Sequence, residues 1–235
     1  MLKAVDFFCG GGGMSLGLSQ AGIDIIAGID NDISVAPTYE ANHKSSLFLN
    51  HDISKYSPQE LENDLNLAKN DDNLIFVGCS PCQYWSLINT DKNKSKKTAF
   101  LLSYFHDFVK YFNPGYILIE NVPGMSKRSD SPINGFKISI ESMGYFFADG
   151  VLDCSDFGVP QKRKRYVLIA SRVRKVSLPK SKKGKRPVLR DTIGDYKYFT
   201  PISPGTVDYS AKFHSTAKLS LLNIKRIKAT PVDGG

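Results

Sequence analysis

Long apolar runs, cysteines and repeats are all scarce or missing in this chain of 235 residues. No window approaches the roughly 18 consecutive apolar residues that a membrane-spanning helix needs. The opening Met1-Leu2-Lys3-Ala4-Val5-Asp6 lacks the charged-then-apolar layout of a signal peptide, so the expected location is the cytoplasm. Four cysteines (Cys9, Cys79, Cys82 and Cys154) are too few for a disulfide framework, and free thiols are expected. Prolines number only 12, and no internal repeat or low-complexity tract is present. With 41% hydrophobic and 23% charged residues, the chain can bury one sizeable core, or a core with a small appendage. Positive charge is in excess: 31 Lys and Arg against 23 Asp and Glu leave a formal +8. Such a field attracts phosphate-bearing partners, although many basic proteins bind nothing acidic.

Short apolar runs alternate with helical patterns over the first 170 residues. Residues 3–8, 24–29, 74–77, 116–119 and 166–170 are rich in β-branched and aromatic side chains and read as buried strands. Residues 14–21, 33–41, 99–112 and 133–143 place apolar residues at helical spacing. This alternation predicts an α/β fold with a mostly parallel sheet and helices on both faces, its sites at the carboxyl ends of the strands. After Ser171 the composition shifts to Arg172-Val173-Arg174-Lys175 and Lys180-Ser181-Lys182-Lys183-Gly184-Lys185-Arg186. The expected division is therefore a cofactor-binding and catalytic domain over residues 1–171, then a basic connection and an incomplete smaller region over 172–235. The basic stretch reads as a solvated loop or as a strip lying along phosphates. The last residues, 229–235, read as a loop, which raises the expectation of an incomplete chain.

The first strand runs into Phe8-Cys9-Gly10-Gly11-Gly12-Gly13-Met14-Ser15-Leu16-Gly17. Glycines at a strand-to-helix turn let the backbone approach a ligand near the free N–H groups of a helix start. The spacing is G-x-G-x-x-x-G, one residue longer than the dinucleotide fingerprint, so a merely tight turn stays open. The second strand ends in Ile29-Asp30-Asn31-Asp32. A carboxylate there can accept both hydroxyls of a ribose, or it can cap the helix that follows. Asp52, in Asn50-His51-Asp52-Ile53, is a candidate for an adenine amino group, or a turn residue. These features point to an adenosine cofactor without separating a nicotinamide from a methyl donor.

A third strand leads into Gly78-Cys79-Ser80-Pro81-Cys82-Gln83. The Cys79-x-x-Cys82 spacing is open to a redox pair, to half of a zinc site, or to a single nucleophile, Cys82, held by Pro81. Two further runs bear on the choice: Glu120-Asn121-Val122-Pro123-Gly124, and Gln161-Lys162-Arg163-Lys164-Arg165.

With these runs in place, the chain resembles the DNA cytosine-5 methyltransferases. The glycine loop, Pro81-Cys82-Gln83, Glu120-Asn121-Val122 and Gln161-x-Arg163-x-Arg165 follow in the family's order and spacing over roughly residues 3 to 171. The resemblance implies methyl transfer from S-adenosylmethionine to carbon 5 of cytosine in double-stranded DNA. Carbon 5 is a poor nucleophile, so the family first adds a thiolate to carbon 6, a role that falls to Cys82. Glu120 would hydrogen-bond or protonate ring nitrogen 3, which calls for a protonated carboxyl, supplied by burial. Arg165 would bind the base's carbonyl oxygen, with Arg163 close by; the plainer reading is a surface pair on an edge strand. Phe8 and the loop glycines Gly10, Gly12 and Gly13 would hold the cofactor. Asp30 would take its ribose, Asn31 would lie beside the adenine, Asp52 would take the amino group, and Ile53 and Leu101 would pack against it. Because the target atom lies inside a stacked duplex, the base must be extruded, at a cost of a few kcal/mol. Residues 86–98, with Lys92, Lys94, Lys96 and Lys97, would form a loop that closes over the DNA.

The chain departs from the family in carrying Trp85 where phenylalanine is usual and Thr98 near a usual arginine. By the same resemblance, a target-recognition domain and the segment that closes the cofactor pocket are expected to be missing from these 235 residues. A fragment, and the larger subunit of a split enzyme, are both compatible with that. Three rival readings stay beside this one: a transfer-RNA cytosine methyltransferase, a nicotinamide oxidoreductase using Cys79 and Cys82, and a non-catalytic DNA-binding subunit.

Overall fold

The structure is a computed structural model, and it describes residues 1–81, 100–127, 131–181, 184, 186–195, 197, 200–210 and 214–231. Cys82 and the loop of residues 86–98 therefore lie outside the described residues, as do Gln83, Trp85 and Thr98.

Seven strands form one sheet in the order β3-β2-β1-β4-β5-β7-β6. They are β1 (Lys3–Phe7), β2 (Asp24–Asp30), β3 (Leu47–Asn50), β4 (Leu74–Gly78), β5 (Tyr116–Asn121), β6 (Phe146–Asp153) and β7 (Lys164–Ser171). The first five run parallel, while β7 inserts antiparallel between β5 and β6. β1 and β4 are almost wholly buried, as strands covered on both faces are; residues 74–77 are continuously apolar, while the buried Asp6 interrupts the apolar run of β1.

The helices follow from local signals. The helix α1 (Gly13–Gln20) lays Met14 and Leu18 against Ala4, Ile25, Ile75 and Val77 on one face of the sheet. The helix α2 (Ala36–Asn42) follows a single turn of 3₁₀-helix at Ile33–Val35 and has a proline in its first turn. The helix α3 (Pro58–Leu65) begins at a capping box in which Ser57 and Glu60 bond each other's backbone N–H groups. The helix α4 (Leu101–Phe112) buries Leu102, Phe105, Phe108, Val109 and Phe112 along one stripe. Those residues join Val5, Phe7, Phe76 and Leu61 in the core on the opposite face, where Phe7 meets Phe76, Phe105 and Phe108 edge-on at 5.1–5.2 Å. A one-turn helix, α5 (Gly124–Lys127), and the longer α6 (Pro132–Ser142) follow β5.

The chain divides into two compact units. The larger comprises Met1–Cys154 with Arg163–Ser181. The start of the basic stretch belongs to it: Arg172 donates to the Asn113 carbonyl at 2.9 Å and pairs with Asp72 at 2.5 Å. Arg174 donates to the Tyr116 hydroxyl at 3.0 Å. The smaller unit comprises Ser155–Lys162 with Lys182–Gly235. It carries the helices α7 (Leu189–Ile193) and α8 (Leu221–Ala229), an Arg186–Asp156 ion pair at 2.5 Å and a His214–Asp208 contact at 2.8 Å.

Candidate active site

The carboxyl ends of the parallel strands border a cavity of about 200 Å³ with a mostly apolar lining. Phe7 and Phe8 reach it from β1, and Ile29, Asp30 and Asn31 from β2. His51, Asp52 and Ile53 follow β3 into it, and Pro81 and Leu101 border it as well.

Asp30 is the most constrained of these groups. Its Oδ2 accepts the Gly10 N–H at 2.9 Å and its Oδ1 accepts the Asp32 N–H at 3.0 Å. Each oxygen retains acceptor capacity, so the carboxylate is aimed by backbone rather than loose. Capping of the following turn falls to Asp32, whose Oδ1 accepts from the Ser34 N–H and hydroxyl at 3.0 and 2.6 Å. Those bonds hold the Asp32 carboxyl below the usual carboxylate range. The same device lowers Asp52, which accepts from the Ser54 N–H at 3.0 Å and the Ser54 hydroxyl at 2.7 Å.

The glycine loop acts mainly from beneath. Of its residues, Phe8 lines the cavity, with a left-handed φ of 63°. Gly10 touches the site through its N–H on Asp30. Gly12 has φ 86°, and a Cβ there would stand 2.2 Å from His43 Nε2, so the position admits no side chain. The buried His43 donates from Nε2 to the Gly12 carbonyl at 3.0 Å and holds the turn from below. Gly13 opens α1 with free space where a Cβ would stand. Neither Gly12 nor Gly13 lines the cavity itself, and Gly12 packs closely against His43. Below the loop, the buried Asp6 accepts the Ser15 hydroxyl at 2.6 Å, and Tyr39 lies within reach of Ser15 at 3.3 Å and Ser46 at 3.0 Å. Burial pushes the Asp6 carboxyl up to about 6, and its Oδ1 has no hydrogen-bond partner among the described residues.

The ends of β4, β5 and β7 hold the second group of residues. Arg165 Nε stands 2.7 Å from Glu120 Oε1, an ion pair across the β5–β7 seam. The Glu120 side chain is 27% exposed, and the Arg165 guanidinium faces it. Arg163 is exposed and engages the sheet through its carbonyl, which accepts the Cys154 N–H at 2.9 Å. Asn121, quoted above only as part of a motif, has a role of its own. This buried amide donates to the Ser80 carbonyl at 3.1 Å and to the Ser80 hydroxyl at 3.3 Å, while its own oxygen accepts the Val122 N–H at 2.9 Å. It thus ties β5 to the turn that ends in Pro81, the residue before Cys82. Burial, with Asp6 and Glu120 nearby, pushes the Cys79 thiol well above its ordinary range. A thiol so suppressed is a poor nucleophile and a poor redox partner. Among the described residues no cluster of His, Cys, Asp and Glu could hold a metal ion. No helix among them is long and apolar enough to cross a membrane.

A doubly wound sheet, a nucleoside-sized crevice, an aimed carboxylate at the end of β2 and a neighbouring Glu–Arg pair define a Rossmann-like, nucleotide-binding domain. Comparison with known proteins narrows the class. Residues 2–227 match the family model of the C-5 cytosine-specific DNA methylases, and the chain belongs to that family. It is 34% identical over 234 residues to the type II methylase M.HgiDII of Herpetosiphon aurantiacus, an alignment covering 98% of this chain and 64% of that protein. It is 34% identical over 200 residues to the type II methyltransferase M.MthTI of Methanothermobacter thermautotrophicus, covering 83% of this chain and 57% of that one. A solved structure of a prophage-encoded putative DNA modification methyltransferase from E. coli superposes with a TM-score of 0.63 at 27% identity, over 73% of this chain and 47% of that one. The chain thus spans less than two thirds of the length of these curated relatives. The cofactor of the family is S-adenosylmethionine, and the residues present fit it: the apolar lining could accept a purine, and the Asp30 and Asp52 carboxylates could accept hydroxyl and amino donors.

Proposed function

We propose that this chain is the catalytic portion of an enzyme that methylates carbon 5 of cytosine in double-stranded DNA. The observation that carries the reading is the Glu120–Arg165 pair standing at the same sheet end as the Asn121-held turn and the Asp30 cavity. An acid for ring nitrogen 3, a cation for the adjacent carbonyl and a nucleoside pocket match the demands of cytosine activation, and Cys82 is next in sequence to the Ser80-Pro81 segment that Asn121 holds.

When bound, S-adenosylmethionine supplies an electrophilic methyl group. Phe8, Asp30, Asn31, Asp52, Ile53 and Leu101 hold its adenosine, with Asp30 on the ribose. Cys82 adds its thiolate to carbon 6 of the extruded base, and the displaced π-electron pair makes carbon 5 nucleophilic. Glu120 hydrogen-bonds or protonates nitrogen 3 as that charge develops, and Arg165 binds the base's carbonyl oxygen. For this the Glu120–Arg165 pair opens and both partners turn to the base. Once carbon 5 has taken the methyl group, which leaves S-adenosylhomocysteine, its proton leaves to a base or water, the sulfur–carbon 6 bond breaks to return the thiolate to Cys82, and any proton placed on nitrogen 3 goes back to Glu120. Recognition of a specific DNA sequence is assigned to polypeptide outside these 235 residues, in the same or a second chain.

The decisive experiment uses DNA containing 5-fluorocytosine, which cannot lose its substituent and so traps the adduct. The chain, supplemented with whatever polypeptide completes it, should become covalently bound to this DNA in the presence of cofactor. Cys82→Ala should abolish the adduct and Cys79→Ala should not. The reverse pattern would overturn the assignment of the nucleophile, and an adduct formed with transfer RNA but not DNA would overturn the substrate.

A further inference from the structure

His51 is the first residue beyond β3, and nothing in the family motifs singles it out. It borders the same cavity as Asp30, Asn31 and Ile53. Its backbone is fixed there. The His51 N–H donates to the Asp30 carbonyl at 3.1 Å, and the Asn50 side-chain amide donates to the same carbonyl at 3.0 Å. The end of β3 is thereby clamped to the end of β2, with His51 beside the ribose-directed carboxylate.

The ring is fixed as well. It lies flat on Tyr56, with centroids 4.0 Å apart and planes within 1°. Tyr56 is buried, and its hydroxyl donates to Asp64 at 2.6 Å. The imidazole Nε2 stands 4.0 Å from the same carboxylate oxygen. One face of the imidazole is thus occupied by Tyr56 and one edge is directed to Asp64. The side chain still keeps 42% exposure while bordering the cavity. Core packing accounts for Tyr56, but not for a flat, backed and still accessible ring on a residue that borders a nucleoside-sized crevice. Such a ring offers a planar ligand a pre-formed surface at little entropic cost.

We infer that His51 is a cofactor-binding residue whose ring, backed by Tyr56, forms a wall of the adenine sub-site. The inference rests on the reading of this cavity as the S-adenosylmethionine site. It places the contact on the purine and not on the amino-acid end of the ligand.

The test is calorimetric binding to the full chain of two ligands: S-adenosylhomocysteine, and 5′-methylthioadenosine, which keeps the adenosine but lacks the amino-acid end. His51→Ala should weaken both by the same factor, about fivefold or more, the lower end of what base–aromatic stacking contributes. His51→Phe, which keeps a flat ring and loses both nitrogens, should stay within about threefold of the parent for both. Melting temperatures without ligand report any folding defect, and His51→Phe decides the matter if His51→Ala is unstable. Parent-like affinity in His51→Ala overturns the inference, as does a loss in His51→Phe equal to that in His51→Ala. Asp30→Ala examines the underlying reading separately: if it binds both ligands as the parent does, or if the parent binds neither, the cavity is not the cofactor site and the His51 inference falls with it.

Discussion

Replacing Asp6 by Asn should change how stability depends on pH, with a size that can be worked out from its surroundings. Asp6 has no exposed surface, and burial raises its carboxyl from 3.8 to about 6 against the opposing bond from Ser15. Between those values the folded chain holds a proton that the unfolded chain has lost. Stability therefore falls as pH rises through this window, and above about pH 6 the whole penalty is present. At about 1.4 kcal/mol per pH unit the span amounts to roughly 3 kcal/mol. Asn carries no charge to desolvate and can accept the Ser15 hydroxyl through its oxygen. Its amide hydrogens would meet the place where Oδ1 now lacks a partner, at a cost of about 1–2 kcal/mol. A net gain of about 1–2 kcal/mol at pH 8 is the expected outcome. His106 acts in the opposite sense: burial lowers it from 6.5 to about 4, so it withdraws stability as pH falls through that range. The wild-type profile mixes the two, and only the difference between variant and wild type isolates Asp6. Urea unfolding at pH 4, 5, 6 and 8 measures it. The advantage of Asp6→Asn should grow steadily from pH 4 to pH 6 and then level off. A difference that stays constant across those four values would refute the reasoning.

Gly12→Ala should destabilise the larger unit by about 2–4 kcal/mol, since it adds both a positive-φ strain and a Cβ 2.2 Å from a buried imidazole; thermal unfolding checks this, and a shift in melting temperature of less than a degree would count against it. Asn121→Ala leaves the Ser80 carbonyl without its amide donor and should cost about 1–3 kcal/mol. It should also slow adduct formation with 5-fluorocytosine DNA while leaving S-adenosylhomocysteine affinity near the parent value, because the tie reaches the cysteine turn and not Asp30; equal losses in both assays would argue for a general structural role.

Strands buried on both faces announced themselves. β1, β2, β4, β5 and β7 each carry a short run rich in apolar residues, and the alternation of these runs with helices is enough to read a doubly wound sheet. β3 was not legible because it is four residues long at a sheet edge, and β6 because Asp149 and Gly150 interrupt it. The Ser57-Pro58-Gln59-Glu60 start of α3 carried a capping-box signature that could have been read, although only Leu61 of that helix is buried. Nor does periodicity carry direction, so the antiparallel entry of β7 lay beyond it. At the site, Phe8, Asp30, Asn31, Asp52, Ile53 and Leu101 were named from the sequence and share one cavity. His51 and Asn121 have no role legible in the sequence because each works through a tertiary partner, Tyr56 for one and Ser80 for the other. The pairing of Glu120 with Arg165 was hidden for the same reason: two separate motifs say nothing of the seam that joins them.

That seam has a consequence for how faults could arise in the enzyme. Glu120 sits opposite Val167 and Asn121 opposite Tyr166, and this register is held by Leu118 against Ile169, Ile119 against Leu168 and Ile117 against Ala170. A slip of one residue would turn every side chain of β7 to the other face and send Arg165 away from Glu120. The alignment of Glu120 with Arg165 is therefore inherited from oily strand neighbours with no chemistry of their own. Silent-looking changes along β7 become the place where a folded, cofactor-competent chain could lose its reactivity.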